Sequence, residues 1–389
     1  MNPSDMLPNL TQYEQVSGRL RHNLSDAHTH QWQDSAQRQI VQRLPGIYLR
    51  SEFGRQEDME TGFQQAFFGL AGQHSVAANP YLFLSYSASV SIDIVATYLA
   101  ERNLSAGLVQ PCIDAQAAIL RRRGVRLIPV AEATLSGRAG LRDLLTRGDR
   151  PDALFLTLPN NPTGFALGQA GFERLARMCE ATGTLLIIDW TFRFYTETYG
   201  AWDQYAVVDG IGVDYLCIED TGKTWPTLDL KCSALVTSPH LYPQVRELHN
   251  DILLNVSPFV LSLLTAYLQD SQQRGLDATV RKLIRTNRRA LARTLSGSVL
   301  APAASGRMVS VEWIRIDSTD LTGLDLVEMS GDIGIGILPG HHFYWADHDA
   351  GSRYVRFALA REAADFALAC RRLRVLIDTT PELQLAGAA

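Results

Sequence analysis

Short runs of apolar residues, separated by helix-like stretches, constrain this chain more than any other feature. Gly107–Gln110, Arg126–Val130, Ala153–Thr157, Leu185–Ile188, Tyr215–Ile218 and Ser233–Val236 are such runs, and most carry apolar side chains nearly throughout. A strand with one wet face alternates apolar and polar residues, whereas a strand apolar on both faces must be covered on both. Helical stretches lie between the runs, one ending in Arg121-Arg122-Arg123 and another near Phe172–Cys179. The pattern predicts an α/β fold with a mostly parallel sheet packed between helices. An earlier run, Tyr81–Ser85, adds a strand, and Ser87 to Leu99 adds the helix after it.

The character changes after about residue 255. A long helical stretch, Pro258–Leu295, is broken near Gly275. Strands are expected at Met308–Ile316, Ile333–Leu338 and Tyr354–Leu359, with helices at Leu324–Met329 and Ala363–Leu376. The chain thus divides into an N-terminal arm or lid (1–50), a large α/β domain (51–255), a linking long helix (256–300) and a small C-terminal α+β domain (301–389). The arm is polar with mixed signals and reads as short helices rather than core. With 389 residues, 46% of them hydrophobic, the chain can build two cores. A net charge of -5 offers no basic footprint for nucleic acid. No apolar run approaches membrane-spanning length, and Met1–Tyr13 lacks the apolar segment of a secretory signal. The five cysteines are scattered without a CxxC pair, which suits reduced thiols in a cytoplasmic protein.

Ligands of an open α/β sheet bind beyond the carboxyl ends of its strands, and the reactive residue types fall there. Lys223 follows the strand Tyr215–Ile218 in a Thr/Gly loop, and Lys231 lies eight residues on. A lysine amine condenses with an aldehyde once a cation or a dry pocket lowers its pKa. A second lysine can anchor a phosphate, although two loop lysines are also ordinary solvated surface. Ser87-Ala88-Ser89 stands at a helix start, where free N–H groups hold a phosphate or where a serine simply caps. Asn160-Asn161-Pro162-Thr163-Gly164 has the composition of a turn. Asp189 ends an apolar strand, and a carboxylate there is costly unless it meets a cation. Arg356, in Tyr354-Val355-Arg356-Phe357-Ala358, is either an edge residue or a fork for a carboxylate.

Taken in order, these residues resemble the fold type I aminotransferase superfamily, which uses pyridoxal 5′-phosphate (PLP). The resemblance covers residues 60 to 380. It implies that Lys223 carries the cofactor aldehyde and moves protons, that Asp189 pairs with the pyridinium nitrogen, and that Asn161 bonds the ring oxygen. It further implies that Ser87, Ala88, Ser89 and Lys231 hold the phosphate, that Thr191 and Phe192 line the cofactor, and that Arg356 grips the substrate carboxylate. A homodimer is expected from the superfamily. Four departures stand out. Phe192 replaces a tyrosine, Lys231 an arginine, Ile113 a ring-stacking aromatic residue, and Asp220 a phosphate-binding serine. A carboxylate is repelled by a phosphate, so Asp220 should turn away toward a cationic substrate.

The arm carries the resemblance further. Asn9–Glu14 and Asp26-Ala27-His28, with Ile218–Lys231, are similar to the PLP- and O2-dependent arginine hydroxylases and oxidases of bacterial secondary metabolism. Read alone, Thr11-x-x-Glu14 is also a helix capping box, and His28-Thr29-His30 a surface pair. The resemblance implies that Thr11, Glu14, Asp26, Asn161, Asp220 and Arg356 contact L-arginine, with Glu14 and Asp220 bracketing its guanidinium. His28 would close over the substrate, and the arm would order when substrate binds. It implies oxidation of L-arginine by molecular oxygen to 4-hydroxy-2-oxoarginine or 2-oxoarginine, with ammonia and hydrogen peroxide, and without a metal. The alternatives are an ordinary aminotransferase of a basic amino acid, a PLP-dependent cyclase or decarboxylase, and a non-catalytic binding module.

Overall fold

The computed structural model describes residues 7–304 and 309–385. Met308, the expected start of one strand, lies outside them, as do residues 1–6 of the arm. The arm holds α1 (Leu10–Ser17), β1 (His22–Asn23), α2 (Ser35–Gln42) and α3 (Leu44–Phe53), and α4 (Gln56–Leu70) follows. The large sheet contains β2 (Leu82–Ser85), β3 (Ala106–Gln110), β4 (Leu127–Ala131), β5 (Ala153–Thr157), β6 (Leu185–Asp189), β7 (Tyr215–Asp220) and β8 (Ser233–Thr237), in the order β2-β8-β7-β6-β5-β3-β4. Helix α5 (Ala88–Glu101) follows β2, and α6 (Asp114–Arg122) follows β3.

Only β8 in this sheet runs against the others. Its connection explains this: residues 221–232 form no crossover helix, so the chain turns back beside β7, and Asp220 pairs with Ser233. That return loop carries Lys223 and Lys231. Along the central strands, successive side chains enter opposite cores. Leu154, Leu156, Leu186, Ile188 and Cys217 face one, and Phe155, Ile187, Leu216 and Ile218 face the other. Each is at most 2% exposed. Truncating Phe155 or Ile187 to alanine would therefore cost about 2–5 kcal/mol.

The long helical stretch is interrupted where the sequence indicated. Pro258–Arg274 ends at Gly275, whose φ of 83° is a left-handed value, and Lys282–Leu295 continues after one wide turn. The small domain adds β9 (Leu300–Pro302), β10 (Val311–Ile316), β11 (Ile335–Gly336), β12 (Leu338–Pro339) and β13 (Tyr354–Ala358), followed by helix Ala363–Thr379. Four of these strands form an antiparallel sheet ordered β12-β13-β10-β9.

The reading of residues 1–50 as non-core is corrected. Leu10, Tyr13, Leu24, Ile40 and Ile47 are 1–4% exposed. Strand β1 pairs with β11 in parallel, and the Ala358 N–H donates to Leu24 O at 2.8 Å. Their polar neighbours Arg19, Arg21, Arg38 and Arg43 hide these few anchors in any average over the segment. The structure packs the arm against the small domain and the Pro258–Arg274 helix. The capping-box reading of Thr11 and Glu14 also fails, because Asn9 caps α1 by accepting from Gln12 N at 3.0 Å. All five cysteines are buried and unpaired.

Candidate active site

Strands β2, β5, β6 and β7 present their carboxyl ends at one edge of the sheet. A cavity of about 310 Å³ opens there, closed on one side by α1 and on another by β13. The residues that the sequence singled out converge on it from seven segments: Thr11 and Glu14 from the arm helix, and His28 from the chain after β1. Ser87, Ala88 and Ser89 come from the start of α5, and Asn161 from the turn after β5. Asp189, Thr191 and Phe192 follow from β6, Asp220, Lys223 and Lys231 from the β7–β8 return, and Arg356 from β13. Asp26 is the exception, as it does not reach the cavity wall.

At the end of β6, Asp189 is 5% exposed. Its Oδ1 accepts from Thr191 N at 2.9 Å and Thr191 Oγ1 at 2.5 Å, and its Oδ2 accepts from Gln116 Nε2 at 3.0 Å. These partners are neutral, so burial pushes the carboxyl up to about 6 against their opposing hydrogen bonds. Thr191 thus holds Asp189. Gln116, 1% exposed, also donates to Thr157 Oγ1 at 2.8 Å and is a site residue that sequence reasoning missed.

Lys223 faces the arm. Its Nζ lies 2.9 Å from Nε2 of His28. Burial lowers the amine below its usual pKa, opposed by the charges of Glu14, Asp220 and Asp26. Its carbonyl is held by Thr29 Oγ1 at 3.0 Å and by the Tyr195 hydroxyl. The main chain of the return loop is therefore fixed while the amine points into the cavity.

Asp220 does not turn away from the phosphate-like corner, as the sequence suggested it would. Its Oδ2 accepts from Ala88 N at 2.8 Å and its Oδ1 from Gly222 N. The N-terminus of α5 supplies unsatisfied N–H groups and a positive dipole end, and both attract a carboxylate. Burial raises its pKa, opposed by those two backbone bonds and by Lys223 and Lys231. Ser87 caps the same helix, its hydroxyl accepting from Val90 N at 3.4 Å. A Cβ on Gly222 would stand 2.7 Å from Lys231 Cδ and 2.8 Å from Asp220 Oδ1, so both side chains crowd against this glycine.

Arg356 is 0% exposed. Its Nη1 donates to Asn161 Oδ1 at 3.1 Å, and its Nη2 to Glu14 Oε1 at 3.4 Å and to Ser25 O. Its Nε is buried without a partner among the described residues. Glu14 therefore meets Arg356, and Asn161 is taken up with it too. Asp114, a wall residue with no role assigned from sequence, accepts from Leu10 N at 2.8 Å and so caps α1 from the large domain. Ile113 lines the wall, and among the described residues the aromatic rings there are Phe192 and His28.

Asp26 is instead enclosed by its own neighbourhood. It accepts from Asn23 Nδ2 at 2.7 Å and His28 N at 3.0 Å, and it meets His30 Nε2 at 2.9 Å and Arg361 at 3.4 Å. Burial opposes its charge, but the bonds from His28 and His30 and the Arg361 guanidinium hold it well below the usual carboxylate range. This corrects its placement among the substrate contacts.

A family model for class I and II aminotransferases matches residues 115–373. A solved structure described as MppP soaked with the product 2-ketoarginine superposes with a TM-score of 0.85. It is 34% identical, over 92% of this chain and 100% of that one. YbdL from Escherichia coli, described as having a methionine aminotransferase function, gives 0.77 at 16% identity over 96% and 98% of the two chains. Thermus thermophilus aspartate aminotransferase with maleate gives 0.77 at 13% identity over 95% and 97%. These last two share the fold alone. Comparison with curated protein sequences finds no significant match. The chain belongs to the aminotransferase class I and II family, with fold type I, and it is an enzyme whose cofactor is pyridoxal 5′-phosphate.

Proposed function

We propose that the enzyme oxidises L-arginine with molecular oxygen, giving 2-oxoarginine, ammonia and hydrogen peroxide. The balance is arginine, one O2 and one water in, and one of each product out. Hydroxylation to 4-hydroxy-2-oxoarginine consumes a second O2 and a second water and releases a second peroxide. The 34%-identical MppP, described with 2-ketoarginine as product, supports this choice of substrate.

The wall residues fit the cofactor. Asp189, raised to about 6 among neutral partners, suits a pyridinium N–H. The hydroxyls of Ser87 and Ser89 and the Lys231 amine suit a phosphate at the α5 N-terminus, whereas the Ala88 N–H is already taken by Asp220. The buried amine of Lys223 suits the aldehyde. Bound PLP supplies an electron sink for the substrate α-carbon.

The chain's own groups then divide the work. Arg356 binds the substrate carboxylate through a fork whose Nε has no partner among the described residues. Lys223 removes the α-proton, and His28, 2.9 Å from its amine, receives or returns it. Helix α1 and residues 23–28 cover the cavity and keep bulk water out. With Asp189 matched to the pyridinium, Lys231 to the phosphate and Arg356 to the carboxylate, and with Asp220 held by the N–H groups of Ala88 and Gly222 and Asp114 by that of Leu10, Glu14 is the wall carboxylate left for a cation among the described residues. That half-buried acid, freed when Arg356 takes the substrate carboxylate, carries the reading, because a cationic substrate side chain neutralises it.

We also infer a homodimer. Trp32, 69% exposed, and Leu228, 94% exposed, line one cleft of about 1050 Å³ beside the Lys223 loop. Leu228 and Asp229 hold left-handed φ values of 52° and 64° there, a strained loop that a partner surface would support.

The test is mass spectrometry of L-arginine incubated with the enzyme in air. Products two or more oxidation equivalents above arginine, formed without any added 2-oxo acid, support the reading. Turnover only when a 2-oxo acid is supplied would indicate an ordinary aminotransferase.

A further inference from the structure

One buried cation has no part in the reaction described above. Arg361 follows β13 and is 6% exposed. Its Nη1 donates to His28 O at 2.8 Å and to Ala360 O at 3.0 Å. Its Nη2 donates to Asp26 O at 2.7 Å, and its Nε donates to Asn23 O. Three carbonyls within six residues of the arm thus converge on one guanidinium. Removing such an ion from water costs several kcal/mol. Burial accordingly lowers its pKa to about 10, opposed first by the Asp26 charge. The Lys282–Leu295 helix braces the arrangement, since Asn287 Nδ2 donates to Leu359 O and Arg361 O, both at 2.8 Å.

The segment held in this way ends on His28. Asp26 Oδ1 accepts from the His28 backbone N–H at 3.0 Å and stands 3.4 Å from His28 Nδ1. A carboxylate on the Nδ1 side keeps the proton there and leaves the Nε2 lone pair facing outward. That nitrogen is the one 2.9 Å from Lys223 Nζ. The other ionisable groups facing the ring are Asp229, with Oδ1 3.5 Å from Nε2, and His30, whose ring lies edge-on at 6.4 Å between centroids.

We propose that Arg361 is a positioning residue for proton transfer at Lys223, clasping the main chain of residues 23–28 so that Asp26 orients His28 against the amine. Asp26 then serves this relay of Arg361, Asp26, His28 and Lys223, and does not contact the substrate. The inference rests on the reading of Lys223 as the cofactor-bearing amine.

The experiment compares holoenzymes of wild type, Arg361→Gln, Arg361→Lys, His28→Gln and the Arg361→Gln/His28→Gln double variant. Two quantities are read: the pH midpoint of the visible absorbance of the lysine-bound cofactor, and kcat and KM for arginine. Loss of a general acid–base group lowers kcat by roughly a hundredfold. Arg361→Gln is expected to lower kcat by about tenfold or more with KM little changed. It should move the absorbance midpoint in the same direction as His28→Gln, and the double variant should be no worse than His28→Gln alone. Arg361→Lys should restore part of the loss. An Arg361→Gln enzyme that loses thermal stability but keeps the wild-type midpoint and kcat overturns the proposal, as do losses that multiply in the double variant. Should Arg361→Gln not fold, Asp26→Asn decides: a midpoint shifted as in His28→Gln supports the relay, and an unchanged midpoint overturns it. A colourless wild type would overturn the cofactor reading and this inference together, whereas colour with unchanged midpoints overturns this inference alone.

Discussion

Glu14 and Arg356, 342 positions apart in the chain, meet at 3.4 Å across the active-site cavity. One lies on the arm helix and the other on β13, an interior strand of the small-domain sheet, so the contact joins the first described helix to one of the last strands. The same two groups are proposed to bind opposite ends of the substrate. A substrate carboxylate on Arg356 releases Glu14 for the guanidinium. Glu14→Gln should therefore raise KM for arginine by roughly tenfold to a hundredfold, the range of a lost charge-assisted bond. KM for norleucine, which lacks the cation, should change by less than about twofold. Steady-state kinetics on the two substrates checks this, and equal effects would remove Glu14 from the guanidinium site.

Arg356→Lys keeps the charge but loses the fork, and it leaves Asn161 and Glu14 with a point cation. The loss of a bidentate pair should weaken arginine binding by about 2 kcal/mol, or some thirtyfold in KM. Agmatine, which has arginine's guanidinium but no carboxylate, provides the control. Its weak binding should be unaffected by the substitution.

Asp189 supplies a pH test. Its pKa is raised to about 6 by burial, above that of an exposed aspartate, so the folded cofactor-free protein binds this proton more tightly than the unfolded chain. Stability contributed by the protonated group is lost as pH rises toward and through about 6. Asp189→Asn cannot ionise and escapes that loss. Between about pH 5 and about pH 7.5 the cofactor-free variant should gain about 1 kcal/mol relative to cofactor-free wild type. Chemical denaturation at the two pH values measures it. In the holoenzyme the pyridinium offsets the buried charge, and the same substitution should lower activity by at least a hundredfold, because the electron sink loses its counter-charge.

Gly222→Ala places a methyl 2.7 Å from Lys231 Cδ and 2.8 Å from Asp220 Oδ1. Both contacts are too close, so Lys231 must leave the phosphate corner. PLP affinity should fall by about tenfold or more, equivalent to about 1.4 kcal/mol. Equilibrium dialysis of cofactor checks this, and unaltered affinity would mean that Lys231 does not anchor the phosphate.

The residues legible in the sequence are those at strand ends. Asp189 follows an apolar strand, Lys223 a second, and Arg356 interrupts a third, so each is conspicuous against its neighbours. Other parts depend on distant partners. Gln116 looks like any helical glutamine until β5 and β6 bring Thr157 and Asp189 to it. Arg361 looks like a surface arginine until the arm wraps over it. Asp26 was misread for a related reason: a sequence shows that an acid lies near His28 but not that four groups already enclose it. Asp220 was misdirected because repulsion from a phosphate was weighed without the α5 N–H groups, which attract it. The arm's core anchors were lost among polar neighbours.

The central claim is that electrons from arginine leave on molecular oxygen. An oxygen electrode reads this most directly, with purified holoenzyme, L-arginine and no added 2-oxo acid, and with ammonia assayed in the same samples. The account predicts oxygen uptake that begins with arginine and keeps pace with ammonia release. Arginine turnover that proceeds unchanged in oxygen-free buffer, or that stalls in air until a 2-oxo acid is added, would contradict it.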